Sequence, residues 1–328
     1  MNILFGAYPW AFDCPGGGER QLIAWKAHLG LQDVSVGLYD PWDSVAANWQ
    51  IFHFFSVMPG SYQLCHYMKL KGLKLVISPN LWVTPETKWD YPHDEIQRLV
   101  SIADLLVVNS RMEADALGET YGLPAEKFHV VYNGVEDVFF DRIKPDAFID
   151  AYDLRGKRYL LNIANVEPRK NQLIFLHALK NHPDTLLVVI GNVRDLGYLN
   201  ECQAIGGEQF CYVGSVDYGS EMLRSALAGA IGFVMPSTLE TPSIAALEAA
   251  AAGCQILVTQ VGSTTEYFGN DVVYVNPENL VSIRAGIGKL LKRDLVSDIS
   301  SRIRGRFTWE ISARELQNAY RQLLEASA

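Results

Sequence analysis

No stretch of this chain reaches the 18 or so consecutive apolar residues that a membrane-crossing helix requires. Positive charge is also in short supply: 28 Lys and Arg stand against 37 Asp and Glu, for a net charge of -9. With no Lys/Arg-rich tract to offset that balance, bulk nucleic-acid binding is excluded. Cysteine is sparse, and Cys14, Cys65, Cys202, Cys211 and Cys254 are odd in number with no C-x-x-C pair. A disulfide framework and a zinc site are therefore both disfavoured, and free thiols in a reducing cytosol are expected. The opening MNILFGAYP has no basic segment and too short an apolar run for a secretory leader, which predicts a cytoplasmic protein. No low-complexity tract is visible.

What is present is a globular composition, 49% hydrophobic and 20% charged, over 328 residues, enough for two ordinary domains. Short β-branched and aliphatic runs alternate with helical patterns throughout. Strands are expected at 2–6, 34–38, 51–55, 73–77, 105–109 and 129–133, and again at 159–163, 186–190, 210–214, 232–236, 255–259 and 272–275. Such runs with helices between them are the pattern of parallel strands buried on both faces. The pattern occurs twice, which predicts an α/β protein of two doubly wound domains. Periodicity fades over 133–157, so the expected division is a first domain at 1–140, a linker at 141–156, a second domain at 157–306 and a final segment at 307–328 with an amphipathic helix over 314–326. Two linked domains imply a cleft, and ligands of open parallel sheets bind beyond the carboxyl ends of the strands.

Three stretches carry chemistry. The first, CPGGGERQLIAWKAHL, places Gly16, Gly17 and Gly18 at the start of a helix, where bare backbone can approach an anion. It matches neither the G-x-G-x-x-G nor the G-K-[ST] fingerprint, and a plain tight turn reads equally well. The second, NIANVEPRKNQLIFLHAL, puts Arg169 and Lys170 in a strand-to-helix loop. Cations are disfavoured at the positive end of a helix unless an anion visits, so a diphosphate ligand is expected there over two merely solvated cations. The third, LETPSIAALEAAAAG, spaces Glu240 and Glu248 eight apart around an expected N-cap at Thr241 and first helical residue at Pro242, with Glu248 two turns inside the helix. Carboxylates repel phosphates but accept hydrogen bonds from hydroxyls. One ligand class that needs cations, a helix end and carboxylates together is the nucleotide sugar. An ordinary Ala-rich helix with one exposed Glu is the plainer alternative.

Taken together, E-x7-E (Glu240 to Glu248), EPRKN (167–171), YNGVED (132–137), GGGER and FTWE (307–310) resemble the family 4 glycosyltransferases of the GT-B fold, in order and spacing over nearly the whole chain. EYFG (266–269) resembles a loop of some bacterial members. The resemblance implies two Rossmann-like domains facing each other across a cleft, with the final helix crossing back to the first. It implies retaining transfer of a sugar from a nucleotide-diphosphate donor to a hydroxyl of a saccharide or lipid-linked saccharide, without metal or cofactor, in bacterial-type surface polysaccharide or glycan synthesis. By position, Lys170 and Arg169 take the diphosphate, Glu240 the transferred sugar and Glu248 the ribose. Pro242, Ser243 and Ile244 lie near the phosphates, Val213 and Val216 border the base, and Gly17 and Gly18 border the reacting region.

The departures from the family matter as well. Thr241, Pro242 and Ser243 replace a common Gly-Phe-Gly, and Ala164 stands where many relatives carry an arginine. Ser78, Pro79 and Asn80 occupy the region where a histidine often closes the fourth strand. Asn80 can hydrogen-bond a sugar hydroxyl but cannot act as acid or base. His53, on the neighbouring strand, is either a second acceptor-side candidate or a satisfied core residue. Six tryptophans fall in the first 90 residues, and Trp10, Trp42, Trp82 and Trp89 lie in loops where rings stack on an acceptor or simply pack the rim. Residues 60–74 carry Lys69, Lys71 and Lys74, enough for at most about 3 kcal/mol of contact with an anionic membrane face. A GT-B nucleotide-sugar epimerase and a catalytically silent nucleotide-sugar-binding subunit remain as rivals.

Overall fold

The computed structural model describes residues 1–13, 15–43, 48–292 and 298–326. Cys14 therefore lies outside the described residues, while Cys65, Cys202, Cys211 and Cys254 are free thiols. The chain divides into two compact units, Met1–Gly134 with Trp309–Ala328, and Val135–Thr308.

In the first unit, β1 (Asn2–Ala7), β2 (Ser35–Leu38), β3 (Ile51–Phe55), β4 (Lys74–Ser78), β5 (Leu105–Val108) and β6 (Phe128–Val130) form one parallel sheet. Their order is β2-β1-β3-β4-β5-β6. Strands β3 and β5 are buried along their whole length, because helices cover both faces. The core gathers Phe52, Phe54, Leu75, Ile77, Leu99 and Leu106. Each such side chain stabilises the fold by about 1.5–3 kcal/mol on full burial.

The helix Trp309–Glu325 belongs to this unit, although the chain between it and β6 builds the other. It packs on the helix Gly17–Gly30. Trp25 Nε1 donates to Ser312 Oγ at 2.8 Å, and Gln317 Nε2 to the Gln32 carbonyl at 3.0 Å. Its apolar face, with Trp309, Leu316 and Tyr320, is buried.

In the second unit, β7 (Arg158–Ile163), β8 (Thr185–Ile190), β9 (Phe210–Gly214), β10 (Gly232–Met235), β11 (Ile256–Thr259) and β12 (Val273–Val275) form a second parallel sheet, ordered β12-β11-β10-β7-β8-β9. Leu160, Val189, Val234 and Leu257 centre its core. All twelve strands coincide with the runs expected from the sequence, to within one residue at their ends except β6, which stops at Val130, three residues short of the expected end. Each sheet reverses direction once: between β1 and β3 in the first unit and between β7 and β10 in the second. The crevice beyond the strand ends at such a reversal is where open α/β sheets bind ligands. Among the described residues, no helix is long and apolar enough to cross a membrane.

Candidate functional site

The residues following β7 and β10 meet at the reversal point of the second unit. After β7 the chain makes one 3₁₀ turn, Pro168–Lys170, then passes through Asn171 in the left-handed region (φ 60°) into the helix Gln172–Leu179. Asn171 suits that position because its side chain tolerates positive φ. Its Nδ2 donates to the carbonyls of Pro236 at 3.0 Å and Pro277 at 2.9 Å. The Thr238 N–H donates to the Arg169 carbonyl at 2.9 Å, and Arg169 Nη1 to the Leu239 carbonyl at 3.2 Å. The β7 loop is thereby stitched to the β10 loop, and Arg169 and Lys170 are carried with it.

Glu240 is held by backbone. It forms a parallel bridge with Gly262, extending the β10–β11 ladder beyond both strands, with Glu240 N donating to the Val261 carbonyl and Ser263 N to the Glu240 carbonyl. Gly262 (φ 97°) is required here, since a Cβ would stand 2.0 Å from the Glu240 carbonyl oxygen. The Glu240 carboxylate, 6% exposed, accepts from Lys170 Nζ at 2.6 Å, and Arg169 Nη1 lies 3.9 Å away. Burial pushes this carboxyl up, but the charges of Lys170 and Arg169 outweigh it and hold the group below the usual carboxylate range. Glu240 is thus ionised at neutral pH.

Glu248 is buried in the helix Ile244–Ala251, whose Ala246, Ala249 and Ala250 pack inward. Two expectations are corrected. The N-cap is Ser243, whose Oγ accepts from Ala246 N at 3.3 Å, and the Thr241–Pro242 peptide before it is cis. The side-chain cap at Ser243 shortens the helix, so Glu248 lies one turn inside it. Pro242 has no N–H, and the backbone donors at this end begin with Ser243 and Ile244. Val213 is on β9 and Val216 just after it, two strands away from β7, on the order of 10 Å at the usual strand spacing.

In the first unit, the reversal between β1 and β3 opens into a pocket of ≈ 180 Å³ whose lining includes Tyr8, Gly18, Glu19, Ser56 and Asn80. Glu19 closes the helix start, accepting from Gly16 N at 2.7 Å and from the Tyr8 hydroxyl at 2.9 Å. Gly18 approaches so near that a Cβ there would stand 3.2 Å from Asn80 Nδ2, while Gly17 is exposed one residue before it. Asn80 (φ 50°) is oriented from behind. Gln21 Nε2 donates to Asn109 Oδ1 and to Asn133 Oδ1, and Asn109 Nδ2 donates to Asn80 Oδ1 at 2.9 Å. Asn80 Oδ1 thus accepts from Asn109, while its Nδ2 lies beside Gly18, which also lines the pocket.

His53 does not reach this pocket, which corrects its place among the acceptor-side candidates. It is fully buried, with Nδ1 2.6 Å from the Tyr320 hydroxyl and Nε2 2.9 Å from Ser78 Oγ, and burial lowers its pKa to about 3. Trp82 is half-buried outside the pocket lining, and Trp10, Trp42 and Trp89 are exposed. Lys69 is engaged by Asp104 at 2.9 Å and by the Ile102 carbonyl. Sequence reasoning missed Gly262, Arg194, the bridging role of Glu167 and the amide relay behind Asn80. Gly262 and Arg194 carry no local motif, and although Glu167 and Asn133 fall in quoted motifs, their links to Arg194 and Gln21 join residues distant in the chain.

Two parallel sheets, each with polar loops at its reversal point, define a two-domain α/β protein. The family described as Glycosyl transferases group 1 matches residues 147–305, and Glycosyltransferase Family 4 matches residues 16–138. The chain belongs to the family 4 (group 1) glycosyltransferases of the GT-B fold. It is 27% identical to MMP alpha-(1->4)-mannosyltransferase of Mycolicibacterium hassiacum over 66% of its own length and 52% of that protein's. It is 24% identical to O-antigen chain mannosyltransferase B of Escherichia coli over 73% of its own length and 66% of that protein's. This chain thus spans about half the length of the first relative and two thirds of the second. Among solved structures it resembles Anabaena HepE in complex with UDP, with a TM-score of 0.79, 16% identity, and 98% of this chain and 100% of that one covered.

Proposed function

We propose that this protein is a retaining, metal-independent glycosyltransferase that moves a sugar from a nucleotide-diphosphate donor to a hydroxyl of a saccharide or lipid-linked saccharide. The observation that carries this reading is the Lys170–Glu240 pair, at 2.6 Å, standing at the strand reversal of the second unit. Lys170 and Arg169 bind the diphosphate together with the N–H groups of Ser243 and Ile244. Glu240 takes the lysine on Oε1 and a hydroxyl of the transferred sugar on its other oxygen. Glu248 accepts from the ribose, and Val213 and Val216 flank the base. In the first unit, Gly17 and Gly18 leave room at the pocket where Asn80 donates to the acceptor sugar.

In the step itself the bond between the anomeric carbon and the diphosphate oxygen breaks, and a bond to the acceptor oxygen forms on the same face. The acceptor's proton leaves with the diphosphate. No protein nucleophile is required. The barrier falls through stabilisation of the leaving charge and through positioning. Mannosyl transfer in the curated relatives and UDP in the HepE complex support a hexosyl donor of this class, and the O-antigen relative supports a role in surface polysaccharide synthesis. The reaction is placed in the cytoplasm. Contact of residues 60–74 with the inner membrane face is weak, because Lys69 is already engaged.

Lys170→Ala is expected to lower turnover about a hundredfold, the order of one lost transition-state donor. Removing one partner of a buried pair also costs about 3–5 kcal/mol of stability. Lys170→Met combined with Glu240→Gln removes both charges, and is expected to stay folded while remaining inactive. Wild-type turnover in either folded variant would defeat the scheme. Product analysis with and without acceptor separates transfer from epimerisation, and no turnover with any nucleotide sugar would point to a silent binding subunit.

A further inference from the structure

The cations of the second unit do not stop at Lys170 and Arg169. Arg194, four residues beyond β8, reaches back to the β7 loop. Its Nη1 lies 3.4 Å from Glu167 Oε2, while Arg169 Nη2 lies 3.3 Å from the other oxygen of the same carboxylate. With its carboxamide oxygen turned toward the arginine, Asn165 accepts from Arg194 Nε at 3.0 Å and from Nη2 at 3.3 Å. A short parallel bridge, Val166 with Val193, fixes the two loops side by side. The result is one connected row, Lys170, Glu240, Arg169, Glu167 and Arg194, in which cations and carboxylates alternate and cations stand at both ends.

Two carboxylates cannot balance three cations, so the row keeps a net positive charge. Arg194 is 36% exposed and its guanidinium is oriented by two side chains of the very loop that carries Arg169 and Lys170. A planar guanidinium held in this way loses little rotamer freedom when it meets an oxyanion, and it offers several donors. A plain clamp between two loops would need no cation: the Val166–Val193 bridge already joins them, and a neutral side chain could hydrogen-bond Asn165.

We propose that Arg194 is a third cation of the diphosphate site, a donor-binding residue supplied from the β8 loop and held ready by Glu167 and Asn165. This rests on the donor-site reading above and extends it to a residue outside every motif of the chain.

The test is calorimetric titration of the whole protein with UDP, GDP, ADP, inorganic pyrophosphate and the corresponding nucleosides. For the nucleoside diphosphate that binds wild type best, Arg194→Ala is expected to weaken affinity on the order of tenfold. Pyrophosphate should weaken in parallel, the nucleoside should change less than twofold, and Arg194→Lys should recover part of the loss. Equal losses for nucleoside and diphosphate would mean that the arginine only shapes the loop, and would overturn the proposal. Lys170→Ala separates the two levels. If it weakens the diphosphate and Arg194→Ala does not, the third cation is wrong and the donor site stands. If no nucleoside diphosphate binds wild type, both are wrong.

Discussion

His53 shows how burial decides the chemistry of a single side chain. Its position in an apolar strand leaves it 0% exposed, and both nitrogens are spent on Tyr320 and Ser78. An unfolded histidine titrates near 6.5, whereas burial lowers this one to about 3. Between those values the unfolded chain binds a proton that the folded chain refuses, so stability falls as pH drops from 6.5 toward 3 and is unaffected above that window. The slope is about 1.4 kcal/mol per pH unit. His53→Gln, which keeps a donor and an acceptor, is expected to make denaturant-measured stability less steep by that amount between pH 6 and 4. Identical slopes would mean that the histidine titrates freely. Glu240 has the opposite sign of dependence on charge: its carboxyl is held low, so its contribution is present at neutral pH and is lost only as pH falls through the carboxylate range.

At the scale of elements, the site depends on loops tied across a strand reversal. The Glu240–Gly262 bridge is the tie that sets the carboxylate's height above the sheet. Gly262→Ala would drive a methyl to 2.0 Å from a backbone oxygen at φ 97°. Relieving it must move Glu240, at a cost exceeding the roughly 1–3 kcal/mol of ordinary backbone strain. A lowered melting temperature together with weaker nucleoside-diphosphate binding is expected. Gly288, inside the helix Leu280–Lys292, is the contrast: nothing lies within 4 Å of its would-be Cβ. Gly288→Ala should stabilise by about 0.5–1 kcal/mol through helix propensity and leave binding untouched. A stable, fully binding Gly262→Ala would show that the bridge does not position Glu240.

For the molecule as a whole, the chain leaves the first unit after Gly134 and returns to it at Trp309. Truncation before Trp309 would uncover the apolar surface that Trp309, Leu316 and Tyr320 cover, at about 1.5–3 kcal/mol each. It would also strip Trp25 Nε1 and His53 Nδ1 of their partners. Losses on that scale rival the whole stability of a domain, about 5–15 kcal/mol. The truncated chain is expected to lose the near-ultraviolet circular dichroism of the first unit and to become sensitive to protease there. A truncated chain with wild-type spectra and melting would show that the final helix is dispensable. Ligand binding gives the complementary signal, since a donor at 100 times its dissociation constant adds about 2.7 kcal/mol of stability.

The amino-acid sequence alone determined the twelve strands, their parallel character and the approximate position of Lys170 and the two glutamates. Continuous apolar runs and turn residues are local signals, readable without contacts. Only the tertiary structure decided that Ser243 caps the Glu248 helix, that both nitrogens of His53 are engaged in the core, that Gly262 lies against Glu240, that Arg194 pairs with Glu167, and that Gln21, Asn109 and Asn80 form one amide relay. Apart from the Ser243 cap, which is local, those facts depend on which elements lie side by side, and nothing in the spacing of residues so far apart in the chain records the hydrogen bond or near-contact that joins them.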